Sequence, residues 1–157
     1  MHCESPKTNI CLAIRDQQGR GYLPDGTTRA CLFACGLSTG LGAAMYTAKV
    51  EAGSTCVVFG AGMVGLGAVA GCRLQGAGRI VCVDLSRERL EMARHQGATD
   101  VLLGGPDTVD AVLEMTGGFG ADYTIEATGL VSVMRQAVES ARVPLAPDHA
   151  RQGQPGL

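Results

Sequence analysis

Apolar and polar positions along the middle of the chain alternate between two periods, which predicts strands and helices in turn. Short apolar runs predict buried strands at 57–59, 79–84, 100–103 and 122–127. Helical spacing of apolar residues predicts helices between them; the first carries Val64, Leu66, Val69, Cys72 and Leu74, and the last carries Leu130, Val133, Met134, Ala137, Val138 and Ala141. This order predicts an α/β fold, a doubly wound parallel sheet of about four strands with helices on both faces.

The helix after the second strand has the clearest end signals. Ser86 is a predicted N-cap, Leu85 and Leu90 are placed to form a hydrophobic staple, and Gly97 is placed to end the helix. A further helix is predicted from Thr108 to the glycines at 117–118.

Composition divides the 157 residues into three regions, within a length that suits one domain. Residues 1–29 are polar, glycine-rich and loop-like, and residues 30–143 carry the alternating elements. Residues 144–157 contain three prolines and no periodicity, so we expect them to be disordered.

The overall composition argues against several classes of partner. Apolar residues make up 46% of the chain and the net charge is -2, so we expect a soluble protein that binds neither nucleic acid nor an anionic membrane. No apolar run is long enough for a membrane span and no signal-peptide pattern opens the chain, so the cytoplasm is the expected location. Seven cysteines without an export signal indicate thiols and metal ligands rather than a disulfide framework.

The junction of the first strand and the first helix reads G-x-G-x-x-G. Gly60 allows a tight turn, Gly62 lets a pyrophosphate approach the main chain, and Gly65 lets the helix pack close to the strand. Met63 and Val64 open the helix, whose free N–H groups and positive dipole end favour an anion. The turn is therefore a candidate binding site for the phosphates of a dinucleotide.

Asp84, at the end of the second strand, indicates which dinucleotide. A carboxylate there can accept hydrogen bonds from both adenosine-ribose hydroxyls and would repel a 2′-phosphate, so NAD is favoured over NADP. Arg87 and Arg89 keep NADP open as an alternative, and a tight turn that binds no ligand is another. A methyltransferase would carry an acidic residue at the end of the first strand, where Phe59 stands instead.

Two cysteines of the polar segment suggest zinc. Cys3 and Cys11 lie eight residues apart, a spacing that supplies half of a tetrahedral zinc site. His2 beside Cys3 leaves open a makeshift three-ligand site, which would bind zinc weakly.

The residues around these cysteines resemble a known family. Further matching motifs are Ile14-Arg15, Gln18-Gly19, Pro24-Asp25-Gly26-Thr27 and the run from Cys31 to Ala44. Together with the glycine turn, they resemble the medium-chain, zinc-dependent alcohol dehydrogenases, and among these the class III enzymes, the S-(hydroxymethyl)glutathione dehydrogenases. The resemblance implies that residues 1–29 are a remnant of the structural-zinc loop of a catalytic domain. It also implies that residues 30–143 are an incomplete NAD-binding Rossmann domain.

The resemblance assigns metal ligands. Cys35 matches a ligand of the catalytic zinc, whereas Cys31 matches a cysteine that binds no metal. Cys3 and Cys11 match two of the four ligands of the structural zinc. Zinc is therefore an expected cofactor, with both of its sites incomplete in this sequence.

The resemblance also assigns residues to cofactor and substrate. Thr39 and Val64 match residues beside the nicotinamide, Arg89 matches a basic residue near the adenosine ribose, and Arg15 matches an arginine at the anion end of the class III substrate pocket. The implied activity is NAD-linked oxidation of a small molecule, S-(hydroxymethyl)glutathione or a primary alcohol, by a homo-oligomeric enzyme.

The chain departs from the family pattern in three places. Two catalytic-zinc ligands and two structural-zinc cysteines precede Cys3 in the family, and several dozen more residues stand between Arg29 and Ala30. The fifth and sixth strands of the family follow Arg142 there, but not here. We therefore expect the 157-residue chain to be inactive and to bind NAD weakly. The alternative is a non-catalytic NAD-binding remnant or a mispredicted fragment.

Overall fold

The computed structural model describes residues 33–142 together with two short strands, β1 (Ile14–Arg15) and β2 (Gly21–Tyr22). These two strands pair antiparallel, with Ile14 opposite Tyr22. The segment that the sequence indicates as loop-like thus contains a small ribbon.

The main sheet has four parallel strands: β3 (Thr55–Phe59), β4 (Arg79–Asp84), β5 (Asp100–Leu103) and β6 (Tyr123–Glu126). Their spatial order is β5-β4-β3-β6. The order reverses between β3 and β6, because the chain first winds away from β3 in one direction and then returns to its other side. The predicted α/β fold with a doubly wound sheet of about four strands is confirmed.

Five helices accompany the sheet in the part of the chain that the structure describes. The first, α1, is one continuous helix made of a π-helical segment (Phe33–Leu37), an α-helical segment (Ser38–Gly42) and a second π-helical segment (Ala43–Thr47). The others are α2 (Met63–Leu74), α3 (Arg87–Gln96), α4 (Thr108–Met115) and α5 (Val131–Glu139).

Side chains of the central strands alternate between two apolar cores, one on each face of the sheet. On one face, Cys56, Val58, Ile80 and Cys82 pack with α2 and α3 residues such as Val69. On the other face lie Val57, Phe59, Val81 and Val83, packed with Val112 of α4 and Ala137 of α5. The two central strands are therefore covered on both faces, as their nearly continuous apolar sequences require.

Glycines bring α1 into close contact with α2. A Cβ atom on Gly40 would lie 1.9 Å from the carbonyl oxygen of Val64, and one on Gly67 would lie 2.5 Å from the carbonyl oxygen of Leu37. Only residues without a side chain fit at such a separation. The contact holds the segment with Cys35 and Thr39 against the start of α2.

The end signals of α3 act largely as the sequence predicts. The Ser86 hydroxyl accepts a hydrogen bond from the Arg89 backbone N–H at 3.4 Å, and Gly97 ends the helix with a φ of 118°. The predicted staple is wrong in one partner, because Leu85 is 77% exposed while Leu90 is buried. Leu85 instead lies beside Gly104, across the carboxyl end of the sheet.

The predicted apolar stripes are only partly buried. In α2, Leu66, Val69 and Cys72 are buried, but Leu74 is 69% exposed. In α5, Ala137 packs in the core while Val138 is 75% exposed. In the described part of the chain, β6 is the last strand of the sheet on that side, so the outer face of α5 has no neighbouring layer.

One isolated parallel bridge lies outside the named strands of the described residues, between Ala121, just before β6, and Ala141. The Arg142 N–H donates to the Ala121 carbonyl at 2.7 Å, and the Ala121 N–H donates to the Ser140 carbonyl at 2.9 Å. The described residues end with this pairing, at Arg142. Among them, no helix combines the length and the apolar character needed to cross a membrane.

Candidate functional site

The glycine turn joins β3 to α2 at the carboxyl edge of the sheet. Gly60 has a φ of 95°, a left-handed conformation that favours glycine, and a Cβ atom on it would lie 2.8 Å from the Thr128 methyl carbon. A Cβ atom on Gly65 would lie 1.7 Å from the Gly60 carbonyl oxygen. Gly65 therefore lets the first turn of α2 sit directly on the end of β3.

Gly62 differs from its two neighbours in the motif. It is the N-cap of α2, with a φ of -77°, and no heavy atom lies within 4 Å of the position of a Cβ atom on it. Open space thus faces the main chain at this point, beside the first N–H groups of a twelve-residue helix. An anionic group could approach the N–H groups of Met63 and Val64 from that space.

Asp84 ends β4 next to this turn. One of its carboxylate oxygens, Oδ2, accepts from the Ala61 N–H at 2.7 Å, and the other, Oδ1, accepts from the Ser86 N–H at 2.8 Å. An ionised carboxylate has about four acceptor positions, so two remain for hydroxyl donors. The side chain therefore links the glycine turn to the start of α3 and can still bind a ligand.

A cleft of about 500 Å³ opens at this edge, and its lining includes Gly60, Gly62, Asp84 and Arg89. It lies over the carboxyl ends of β3, β4 and β6, where the strand order reverses. Ligands of open parallel sheets bind at such a point. The structure thus brings four of the cofactor residues predicted from sequence to one cleft.

The loop after β6 forms the opposite wall, which the sequence analysis missed. Ala127, Thr128 and Leu130 line the cleft, together with Gln136 of α5. The Gln136 side-chain amide donates to the Gly105 carbonyl at 2.9 Å. The glycine at position 129, two residues after the predicted strand 122–127, was the sequence signal that could have marked this loop, and in the structure its φ is 76°.

Cys35 and Thr39 are both exposed on α1 and do not line the cleft. Gly36, next to Cys35, packs so closely on Met63 that a Cβ atom would lie 2.5 Å from its side chain. The two residues are therefore placed near the start of α2, on the side of the glycine turn. Val64, the other residue predicted to lie beside the nicotinamide, is half-buried in α2.

The described residues do not fit a zinc ion. Between residues 33 and 142, no three side chains of the His, Cys, Asp and Glu types are grouped so that they could hold a metal. Cys35 is the one predicted ligand among them. Cys3 and Cys11 lie outside the described residues, and of Arg15 only the backbone, in β1, is described.

Three further cysteines belong to the core, as their apolar positions in the sequence predict. Cys56, Cys72 and Cys82 are fully buried. Burial, with the nearby Asp84 charge as a second cause, raises the pKa of the Cys82 thiol to about 12. A hydrogen bond with Cys56, followed by burial, raises the pKa of the Cys72 thiol. The same hydrogen bond lowers the pKa of the Cys56 thiol. Cys72 and Cys82 are therefore neutral packing groups, and all three thiols lie in the core.

Comparison with known proteins identifies relatives along most of the chain. Alcohol dehydrogenase class-3 of Myxine glutinosa is 41% identical over 182 aligned positions, which cover 88% of this chain and 48% of the relative. S-(hydroxymethyl)glutathione dehydrogenase of Escherichia coli O1:K1 / APEC is 37% identical, with 88% and 49% covered. The chain spans about half the length of the curated relatives it matches.

The aligned length exceeds the matched part of this chain. The alignment has 182 positions, whereas 88% of 157 residues is about 138, so about 44 positions have no residue of this chain. The relative therefore carries internal residues that this chain lacks. Their number agrees with the several dozen residues that the resemblance leads us to expect between Arg29 and Ala30.

Solved structures show the same architecture. Benzyl alcohol dehydrogenase from Acinetobacter calcoaceticus superposes with a TM-score of 0.70 at 34% identity, covering 78% of this chain and 34% of that one. An alcohol dehydrogenase zinc-binding domain protein from Burkholderia ambifaria gives 0.68 at 37% identity, covering 77% and 33%.

The fold and the cleft define a doubly wound α/β domain with a ligand site at the reversal of its strand order. The family model described as zinc-binding dehydrogenase matches residues 63–143, more than half of the chain. The chain belongs to the zinc-binding dehydrogenase family.

Proposed function

We propose that the cleft at the carboxyl edge of the sheet binds NAD. The observation that carries this proposal is the position of the Asp84 carboxylate, which is tied to the glycine turn and still faces the cleft. In the proposed complex, N–H groups at Gly62, Met63 and Val64 bind the pyrophosphate, and Asp84 binds the adenosine ribose. When bound, NAD supplies the hydride acceptor.

NAD is favoured over NADP because a 2′-phosphate would meet the negative charge of Asp84. Arg89 is the observation that supports the alternative, since it is exposed and lines the same cleft. Its backbone N–H donates a hydrogen bond to the hydroxyl of Ser86, the N-cap of α3. The side chain is thus carried on the first turn of α3, near the position proposed for the ribose.

We further propose that the whole protein is a zinc-dependent alcohol dehydrogenase that oxidises S-(hydroxymethyl)glutathione or another primary alcohol. The sequence identity of 41% to alcohol dehydrogenase class-3 and of 37% to S-(hydroxymethyl)glutathione dehydrogenase supports this proposed activity. In that protein Cys35 would bind the catalytic zinc, Thr39 would lie beside the nicotinamide, and Arg15 would bind the anionic end of the substrate. Cys3 and Cys11 would belong to the structural zinc site.

The 157 residues alone are proposed to lack this activity. Zinc catalysis needs three protein ligands and an open position, and the described residues provide only Cys35. The same observation favours a second candidate function for the isolated chain, that of a non-catalytic NAD-binding module. The two candidates differ in one measurable quantity, the formation of NADH.

Equilibrium titration of the 157-residue chain with NAD and with NADP tests the cofactor proposal. We expect NAD to bind with a dissociation constant weaker than micromolar, and NADP to bind more weakly still. Asp84→Asn should reduce the difference between the affinities for NAD and NADP. Preference for NADP in the unmodified chain would contradict the assignment of Asp84. NADH formation from an alcohol in the presence of zinc would contradict the proposed lack of activity.

A further inference from the structure

Glu126, at the carboxyl end of β6, is absent from the site predicted by sequence, yet its carboxylate collects several hydrogen bonds. Its Oε1 accepts from the Thr128 N–H at 2.6 Å and from the Gly129 N–H at 3.0 Å. The Thr128 hydroxyl donates to the same oxygen, and Gly129 also donates to Oε2 at 3.2 Å. A single side chain thus holds both central residues of the loop that follows β6.

The loop transmits this anchoring to the cleft. The Thr128 hydroxyl accepts from the Leu130 N–H at 3.2 Å, so the same network reaches the N-cap of α5. The Thr128 methyl lies where a side chain on Gly60 would collide with it. Glu126, Thr128 and Gly60 therefore form a continuous chain of contacts from the end of β6 to the glycine turn.

We propose that Glu126 is a positioning residue for the cofactor, which acts by fixing the Ala127–Leu130 wall against the glycine turn. This inference rests on the proposed binding of NAD. Glu126 itself does not touch the cofactor in this account. Its charge is satisfied by the donors of the loop. A glutamine would keep one acceptor oxygen for them, but its NH₂ group would replace Oε2, which accepts from Gly129, and the negative charge that strengthens these hydrogen bonds would be lost.

A matched control lies at the other end of the same strand. Asp122 precedes β6, accepts from the Thr55 N–H at 2.9 Å and pairs with Arg142 at 3.1 Å. It is remote from the cleft lining. Asp122→Asn should therefore lower thermal stability without changing the affinity for NAD. Glu126→Gln should lower the affinity for NAD with little change in thermal stability.

The test compares the unmodified 157-residue chain with both variants by NAD titration, thermal unfolding and amide hydrogen exchange without ligand. Glu126→Gln should weaken NAD binding about tenfold, the loss expected for a charge-assisted hydrogen bond, with little change in melting temperature. Exchange at Thr128 and Gly129 should become faster. Glu126→Asp, which keeps the charge on a shorter side chain, should recover part of the affinity.

Unchanged affinity and exchange in Glu126→Gln would overturn the proposal. So would an equal loss of affinity in Asp122→Asn, because the effect would then follow stability. If Glu126→Gln does not fold, Glu126→Asp decides, and either unmodified affinity or failure to fold in that variant would overturn the proposal. If the unmodified chain does not bind NAD, the proposed function fails, while exchange at the loop still shows whether Glu126 holds it.

Discussion

The two edges of the parallel sheet use their carboxylates differently. At the amino edge, Asp100 pairs with Arg79 at 3.2 Å and Asp122 pairs with Arg142 at 3.1 Å. At the carboxyl edge, Asp84 and Glu126 accept hydrogen bonds from backbone N–H groups. Neither forms an ion pair with a lysine or arginine among the described residues.

This difference separates a structural edge from a binding edge. The arginines of the amino edge make further ties, Arg79 to the Met115 carbonyl at 2.5 Å and Arg142 over the Phe119 ring at 5.9 Å. Charges there are neutralised within the protein. At the carboxyl edge, Asp84 keeps acceptor positions facing a cleft of about 500 Å³, and Glu126 holds the loop that lines the same cleft. Among the described residues, the carboxylate that faces the cleft, Asp84, is thus one that forms no ion pair.

The largest expected effect on stability is that of adding a methyl group inside the glycine turn at the carboxyl edge. Gly65→Ala would place a methyl group 1.7 Å from the Gly60 carbonyl oxygen, so α2 must move away from β3. We expect the free energy of unfolding to fall by about 3 kcal/mol, measured by urea denaturation. A change within experimental error would show that the turn is not closely packed.

Gly62→Ala is the matched control in the same motif. No heavy atom lies within 4 Å of the new methyl group, and the φ of -77° suits alanine. We expect a stability change below about 1 kcal/mol, the size of an N-cap effect. NAD affinity should nevertheless fall, because the methyl group occupies the space proposed for the pyrophosphate. Unchanged affinity would place the phosphates elsewhere.

A smaller effect, which depends on pH, is expected at the amino edge. The hydrogen bond from the Thr55 backbone N–H, followed by the Arg142 guanidinium, lowers the pKa of Asp122. This stabilisation is complete above the ordinary carboxyl pKa of about 4 and is lost as the pH falls through the lower pKa of the folded state.

Asp122→Asn should therefore cost about 1 kcal/mol at neutral pH, a modest loss because water reaches a third of the side chain. The difference from the unmodified chain should shrink as the solution is acidified below about pH 4. Thermal unfolding at several pH values measures it. A difference that grows on acidification would contradict the assigned ion pair.

The smallest effect is expected away from both edges. Arg135 and Glu139 pair at 2.8 Å one helical turn apart on α5, and Arg135 is 80% exposed. Such pairs contribute about 0.3 kcal/mol, so Arg135→Ala should leave stability and NAD affinity nearly unchanged. A loss comparable with that of Asp122→Asn would mean that exposure is a poor guide to the energetic weight of these pairs.

The sheet and its cleft follow from local sequence signals. The strands and the glycine turn could be predicted because apolar runs, glycines and Asp84 act over short distances. The caps of α3 at Ser86 and Gly97 could be predicted for the same reason. In each case, one element and its neighbour in the chain contain all the information required.

Helix α1 could not be predicted from the same signals. Glycine is a poor helix former, and Gly36, Gly40 and Gly42 hide the helix from a propensity analysis. Gly36 and Gly40 are needed because α1 lies closely against the Met63 side chain and the α2 backbone, which is a tertiary requirement, whereas a Cβ atom on Gly42 would meet no atom within 4 Å. The four-residue spacing of Gly36, Gly40 and Ala44 was the available signal.

The contacts of Glu126 were missed for a related reason. A glutamate at the end of a strand gives no sign that its carboxylate will turn back to Thr128 and Gly129. The outward face of α5 was also misjudged, since Met134 and Val138 are apolar but exposed. Burial there depends on whether another layer follows β6.

The most direct test of the binding edge is amide NMR of the 157-residue chain titrated with NAD. We expect the largest chemical-shift changes at the amides of Gly62, Met63 and Val64, with further changes beside Asp84. No change is expected at Arg79 and Arg142, which form the ion pairs of the amino edge. Shifts that are confined to the amino edge, or no shifts at saturating NAD, would contradict the assignment of the cofactor site to the carboxyl edge.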